Sequence, residues 1–192
     1  TYDELVAALA NGGNIKLTAD ITVDTKITAI DGTIIDLNGK TVTAPLFSAF
    51  NSKAGGNLTI KNGKVVAYES TVRAVGGKAT IESGEYTSTG TAVDTPSTYR
   101  YSLDCREGGE LIVNGGTFNA LKNIVDIQNN LGDASRQPVV TILGGNFSDD
   151  PTNNTYAHHI VIPNGYSVLE MVKAFEKAWG STVKYKIAPR RP

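Results

Sequence analysis

The chain of 192 residues contains one Cys, one Met, one Trp and two His. A single Cys excludes an internal disulfide framework and any Cys-based zinc site. No run approaches the ~18 apolar residues needed to cross a bilayer. No signal-peptide pattern opens the chain, which begins at Thr1 instead of Met, as a processed or excised fragment would. Neither charge sign is in excess: 18 Lys+Arg stand against 19 Asp+Glu. That balance argues against a nucleic-acid binder, which needs a basic face to displace counterions. Aromatics are sparse at 7% and charged residues reach only 19%. What is plentiful is Gly (20) and Thr (21). Both weaken helices and Thr favours strands, so the composition points to β structure in one domain, with or without an appendage.

One phrase recurs: apolar, polar, apolar, a polar or Gly pair, then another apolar residue. It appears as Ile35-Asp36-Leu37-Asn38-Gly39-Lys40-Thr41-Val42, Leu58-Thr59-Ile60-Lys61-Asn62-Gly63-Lys64-Val65 and Ala79-Thr80-Ile81-Glu82-Ser83-Gly84-Glu85-Tyr86. Later copies are Leu111-Ile112-Val113-Asn114-Gly115-Gly116-Thr117-Phe118 and Val140-Thr141-Ile142-Leu143-Gly144-Gly145-Asn146-Phe147. The glycines at 63, 84, 116 and 145 are 21, 32 and 29 residues apart. Each copy reads as a short strand with one apolar face, a turn at the Asn-Gly, Ser-Gly or Gly-Gly pair, and the start of a second strand at Val65, Tyr86, Phe118 or Phe147. A unit of ~20–30 residues with one or two corners suits one coil of a parallel β-helix, which buries its apolar face by stacking on neighbouring coils. Uneven spacing then marks insertions at corners, the longest over Ala92–Glu107 and Gln128–Gln137. The competing reading is an antiparallel sandwich, in which turn signals also recur every 8–12 residues.

At the N-terminus Thr1 and Glu4 have capping-box spacing. Tyr2, Leu5, Val6 and Leu9 form one helical face that Asn11-Gly12-Gly13 ends. Such a helix would plug the open end of a solenoid, and Ile15–Leu17, Ile21–Val23 and Ile27 would build the first coil.

On the opening Tyr2-Asp3-Glu4-Leu5 helix, the Ile35–Val42 coil and the repeated Thr-Ile-x-x-Gly-x-(Val/Tyr/Phe) phrase, residues 1 to about 163 resemble right-handed parallel β-helix proteins of the pectate-lyase type. Such modules occur in polysaccharide lyases and hydrolases, phage tail spikes and fibres, and bacterial surface adhesins. The resemblance implies an all-β right-handed parallel β-helix in an extracellular, cell-surface or virion setting. It carries no matching catalytic motif.

The pattern changes near Asn164. Residues 165–192 hold six Lys/Arg and two Glu, a local charge of +4 that leaves −5 on the rest of the chain. Ser167 is a candidate N-cap with Glu170 three places on, and Val168, Val172, Phe175 and Trp179 fall on one helical face before Gly180. Val183–Ile187 then alternates as a strand that Pro189 ends. The domain plan is therefore a capping helix over 1–13, the β-helix over 14–163 and a helix-strand appendage over 164–192. The run Gly165-Tyr166-Ser167-Val168-Leu169-Glu170-Met171-Val172-Lys173-Ala174-Phe175-Glu176-Lys177-Ala178, followed by Tyr185-Lys186-Ile187-Ala188-Pro189-Arg190-Arg191-Pro192, resembles a stretch of UDP-galactose 4-epimerase. In that family the stretch is a helix and strand of the substrate-binding part. The resemblance implies that Arg191 matches an arginine on the sugar-nucleotide diphosphate. It departs at Trp179 and Lys184. The chain lacks that family's glycine-rich nucleotide fingerprint and its Tyr-x-x-x-Lys pair, so epimerase activity is not expected. The expectation is a recombined or grafted segment whose apolar helix face covers the last coil.

Polysaccharide cleavage needs two carboxyls ~5–10 Å apart, or carboxylate-bound calcium with a basic residue. Asp94, Asp104, Arg106, Glu107 and Asp126, all near the largest insertion, are the candidates, weighed against an ordinary solvated face. Asp149-Asp150 with Asn153-Asn154 lacks the alternate ligands and distal Glu of a calcium loop and reads as a polar turn. His158-His159, placed on a strand, would point to opposite faces. Cys105 has no partner His and reads as a buried, unreactive thiol. Tyr99 and Tyr101, alternate residues of Thr98-Tyr99-Arg100-Tyr101, would share one face if extended and form a glycan-stacking platform, with Tyr86 as a further candidate. No catalytic residue, metal site or cofactor is assigned. The expected function is a structural or adhesive, non-catalytic β-helix module with a glycan or cell-surface polysaccharide as partner, no nucleic acid and no membrane span. Homo-oligomerisation would bury exposed strand edges. The alternatives are a polysaccharide lyase or glycoside hydrolase working in an outer groove, and a chimera whose foreign tail completes the fold.

Overall fold

The computed structural model describes residues 1–90, 101–121, 123–128, 136–153 and 157–163. At its start the Thr1 hydroxyl accepts from the Glu4 amide at 3.3 Å and the Glu4 carboxylate accepts from the Thr1 amine at 2.6 Å, closing the capping box. Helix α1 (Tyr2–Leu9) follows and buries Leu5 and Leu9 against the first strands, with Tyr2 partly covered. Val6 departs from the expected face. It is 44% exposed, because the packed stripe is narrow and runs through residues 2, 5 and 9 alone.

The strands come in threes. β1 (Asn14–Lys16), β2 (Ile21–Thr22) and β3 (Ile27–Ala29) form the first round. The second is β4 (Thr33–Asp36), β5 (Thr41–Ala44) and β6 (Phe50–Lys53), and the third is β7 (Asn57–Lys61), β8 (Lys64–Ala67) and β9 (Val72–Val75). The fourth is β10 (Lys78–Ile81), β11 (Glu85–Ser88) and β12 (Leu103–Arg106), and the fifth is β13 (Glu110–Val113), β14 (Thr117–Asn119) and β15 (Val125–Gln128). Then come β16 (Val139–Ile142), β17 (Asn146–Phe147) and β18 (Ile160–Val161). Through the five complete rounds each strand pairs in parallel with the strand three places on, giving three parallel sheets that the chain visits in rotation. The first sheet runs β1-β4-β7-β10-β13-β16-β18, the second β2-β5-β8-β11-β14-β17 and the third β3-β6-β9-β12-β15. The arrangement is mostly β and solenoid-like; the antiparallel alternative does not fit, because every strand ladder among the described residues is parallel.

Exact two-residue alternation lines the core with columns of equivalent side chains. Ile15, Ile35, Ile60, Ile81, Val113 and Ile142 stack in the first sheet, and Ile27, Phe50, Val72, Leu103 and Val125 in the third. In the second sheet Ile21, Val42 and Val65 lead to Tyr86, Phe118 and Phe147, whose rings stack with centroids 5.1 Å apart. That separation follows from the ~4.8 Å strand spacing, which brings identical rotamers into offset contact. Each fully buried aliphatic or aromatic member contributes about 1.5–3 kcal/mol.

Glycine keeps the corners tight. Between the third and first sheets, Gly56, Gly77 and Gly109 occupy successive rounds, and a Cβ on any of them would drive into the backbone carbonyl of the round before, Ala29, Lys53 or Ala74. Between the first and second sheets, a Cβ on Gly84 would meet the Gly63 carbonyl at 2.6 Å. The corner between the first and second sheets is where the repeated phrase carries its glycine. The expected insertion over 92–107 was drawn too long: residues 103–106 are strand β12, and residues 91–100 lie outside the described residues. The appendage over 164–192 also lies outside the described residues.

Candidate functional site

Charge gathers on the outward face of the third sheet. In β9, β12 and β15 the first and third residues point inward, so the second and fourth point out. Register then puts Asn51, Arg73, Asp104 and Asp126 in one outward column, and Lys53, Val75, Arg106 and Gln128 in the next. Outward residues of a solenoid normally face water. Here Asn51, Arg73, Asp104, Arg106 and Asp126 are buried, and Asp104 is 0% exposed.

A buried carboxylate requires charged partners. Arg73 Nε donates to Asp104 Oδ2 at 2.8 Å and Arg106 Nε to Asp104 Oδ1 at 2.6 Å, so each oxygen holds a guanidinium. Arg106 Nη2 reaches Asp126 Oδ2 at 3.5 Å, and Gln128 Nε2 donates to the same oxygen at 2.6 Å. At the other end Arg73 Nη1 lies 3.7 Å from Glu69 and 3.5 Å from Ser48 Oγ, whose hydroxyl donates to Glu69 at 3.0 Å. The chain of contacts thus runs from Glu69 to Gln128 across three rounds. Burial, and then the neighbouring Asp104 charge, push the Asp126 carboxyl up to about 6, against the opposing pull of Arg106, Gln128 and Arg73. Asp126 therefore holds its proton to a higher pH than an unburied aspartate does. Below Arg73 in the column, Asn51 Oδ1 is buried without a donor among the described residues.

Three of the five acid-base candidates, Asp104, Arg106 and Asp126, come together here. Glu107 does not: it turns the corner after β12 with φ 53°, and its carbonyl accepts from Arg136 at 3.2 Å. Asp94 lies outside the described residues. Arg73, Glu69, Ser48 and Gln128 escaped the sequence reading. The signal was a third phrase: Phe50-Asn51-Ser52-Lys53, Val72-Arg73-Ala74-Val75, Leu103-Asp104-Cys105-Arg106 and Val125-Asp126-Ile127-Gln128 align as inward, outward, inward, outward.

Of the proposed glycan platform, Tyr101 is half-buried just before β12 and Tyr99 lies outside the described residues. Tyr86 is corrected: it is fully buried in the aromatic column, its hydroxyl donating to the Ser83 carbonyl at 2.9 Å, and presents no ring to a ligand. Cys105 points inward, its thiol donating to the Gly109 carbonyl at 3.2 Å, and burial pushes its ionisation far up. His158 and His159 sit in a 3₁₀ turn over Ala157–His159, not on a strand, and their rings tilt together at 4.1 Å. Burial, then His158, lowers the His159 pKa. Asp150 Oδ1 accepts from the Thr152 amide and hydroxyl, making the expected polar turn. Among the described residues no group of three or more His, Cys, Asp or Glu could hold a metal ion, and no helix is long and apolar enough to cross a membrane.

The chain matches no protein-family model and no solved structure. Short segments are similar to UDP-glucose 4-epimerases. The similarity is 66% identity over 35 residues with that of Erwinia amylovora, covering 18% of this chain and 10% of the relative. It is 58% over 36 residues with that of Bacillus subtilis, covering 19% and 11%. It is 49% over 37 residues with that of Bifidobacterium longum subsp. longum, again covering 19% and 11%. The chain spans about a tenth of the length of these curated relatives, and about four fifths of it lies outside each match.

Proposed function

We propose that residues 14–163 form a right-handed parallel β-helix that serves as a non-catalytic structural or adhesive module at a cell surface or on a virion, with a glycan as its ligand class. The observation that carries the reading is the state of the charges on the third sheet. Asp104 is fully buried with a guanidinium on each oxygen, so the face is tied across three rounds instead of opening as a cleft. Buried, mutually satisfied ions of this kind fix register. In-register columns over five rounds suit a stiff rod, and the Thr-rich outward positions of the first and second sheets (Thr59, Thr80 and Thr141; Thr22, Thr43 and Thr87) offer hydroxyls to sugars. The short segments similar to UDP-glucose 4-epimerases support a recombined origin for the chain.

The test is to screen the intact chain on a glycan array and to incubate it with acidic polysaccharides, with and without calcium. Saccharide binding without new reducing ends or unsaturated products is expected; product formation would overturn the reading. One observation favours the enzyme alternative: Asp126 keeps its proton to about pH 6, as a general acid needs. If products do form, Asp126→Asn should abolish them.

A further inference from the structure

The Asn-Gly pairs that turn the chain also carry a chemical liability, and the fold distributes it unevenly. The backbone nitrogen after an asparagine attacks the side-chain amide carbon most readily when it belongs to glycine, which has no side chain to obstruct the approach. Five such pairs occur, at residues 11, 38, 62, 114 and 164, the last outside the described residues. Asn11, Asn38, Asn62 and Asn114 are all exposed, so solvent access does not separate them. Hydrogen bonding does. Asn11 Nδ2 donates to the Ala7 carbonyl at 3.2 Å, and the Gly12 amide donates to the Leu9 carbonyl at 3.1 Å. Asn38 Nδ2 donates to the Leu17 carbonyl at 3.0 Å, and the Gly39 amide donates to the Asn62 carbonyl at 2.6 Å. Asn62 is held at both ends of its side chain: Nδ2 donates to Asp36 Oδ1 at 3.2 Å, and Oδ1 accepts from Ser83 Oγ at 3.1 Å. Neither the Asn114 side chain nor the Gly115 amide has a hydrogen bond among the described residues. The reason is register. Asn114 stands one place earlier in the phrase than Asn62, in the column of Lys61 and Glu82, and the corner places beside it hold Gly115 and Gly144, which offer no side chain.

We propose that Asn114-Gly115, at the corner between β13 and β14, is a site of spontaneous deamidation that the fold leaves open while it protects the other three. The Gly115 nitrogen forms a bond to Asn114 Cγ and the Cγ–Nδ2 bond breaks. Nδ2 leaves as ammonia, taking the proton that Gly115 gives up. Water then opens the cyclic imide at either carbonyl, giving aspartate or isoaspartate. At Asn11, Asn38 and Asn62 ring closure must first break the hydrogen bonds that hold the reacting groups, which lowers the rate. The product has structural consequences. Asn114 lies beside Glu82, one strand spacing (~4.8 Å) away, so the new carboxylate faces a like charge. Isoaspartate also lengthens the backbone at a corner where a Cβ on Gly116 would already meet the Gly84 carbonyl at 3.1 Å.

Incubating the folded full chain in mildly alkaline buffer below its melting transition, then mapping peptides by mass spectrometry, reads each asparagine separately. Asn114 should convert several-fold faster than Asn11, Asn38 or Asn62, with both isoaspartate and aspartate among its products. In guanidinium chloride the four rates should converge, because the hydrogen bonds that separate them are gone. Asp36→Ala combined with Ser83→Ala removes both partners of the Asn62 side chain. In that variant, kept below its own melting transition, the Asn62 rate should rise several-fold while the Asn114 rate stays as it was. An Asn114 that does not convert, or that converts no faster than Asn38 and Asn62, overturns the inference. So does a selectivity that persists in the unfolded chain, since sequence and not fold then sets it. An Asn62 rate that ignores the double substitution overturns it as well.

Discussion

Asp126→Asn should stabilise the protein, and only above a definite pH. The folded carboxyl titrates at about 6 against 3.8 for an unburied aspartate. Between those values the unfolded chain has released the proton and the folded chain still holds it, so stability falls as pH rises through this window. Two pKa units correspond to roughly 3 kcal/mol, fully present as a cost at neutral pH and absent below about pH 4. Asparagine removes the titration while its carbonyl can still accept from Gln128 and Arg106, and its amide can donate to Asp104. The variant should therefore match the parent at pH 4 and exceed it by roughly 3 kcal/mol at pH 7.5, a melting-temperature gain of roughly 6–12 °C for a chain of this size. Thermal or urea denaturation followed by circular dichroism from pH 4 to 8 reads both ends. Equal destabilisation at both pH values would refute the reasoning, since Asp126 would then act through geometry and not through a desolvated charge.

Two further outcomes follow from the stacking. Gly77→Ala places a Cβ 2.6 Å from Ser52 Oγ and against the Lys53 carbonyl, so it should cost about 3 kcal/mol or more by overpacking. Gly55→Ala, with open space but φ 80°, should cost only about 1–2 kcal/mol of backbone strain; chemical denaturation of the pair checks the order. Phe118→Ala empties the middle of the aromatic column and should cost about 3–5 kcal/mol, seen as a lowered melting temperature with the far-ultraviolet spectrum retained below the transition.

Two of the three sheets were legible because their strands follow a simple rule. Ile60 and Ile81 point in, Thr59 and Thr80 point out, and a glycine corner comes next. The third sheet was missed because its outward residues are charged yet buried. A segment such as Leu103-Asp104-Cys105-Arg106 reads locally as polar insertion, and only register with Val72-Arg73-Ala74-Val75 reveals a strand. The same blindness hid Arg73 and Glu69, whose partners are distant in sequence, and left Asp104 and Asp126 as unplaced candidates. Tyr86 misled for the opposite reason: a tyrosine in a Gly-rich turn looks available to a sugar, whereas the column above Val65 requires a core ring. Val6 shows that a helix face read from spacing can be wider than the stripe the sheets leave for it. The resemblance of residues 165–192 to an epimerase stretch rested on similarity and not on strand periodicity, and the comparisons show short segments of such similarity in this chain.

The central claim is that residues about 30 apart in sequence lie side by side, in register and parallel. Nuclear Overhauser contacts among the rings of Tyr86, Phe118 and Phe147 measure this directly. Contacts from Phe118 to both Tyr86 and Phe147, with none between Tyr86 and Phe147, are the predicted result. Rings of Phe118 that contact neither aromatic residue would contradict the stacked parallel arrangement.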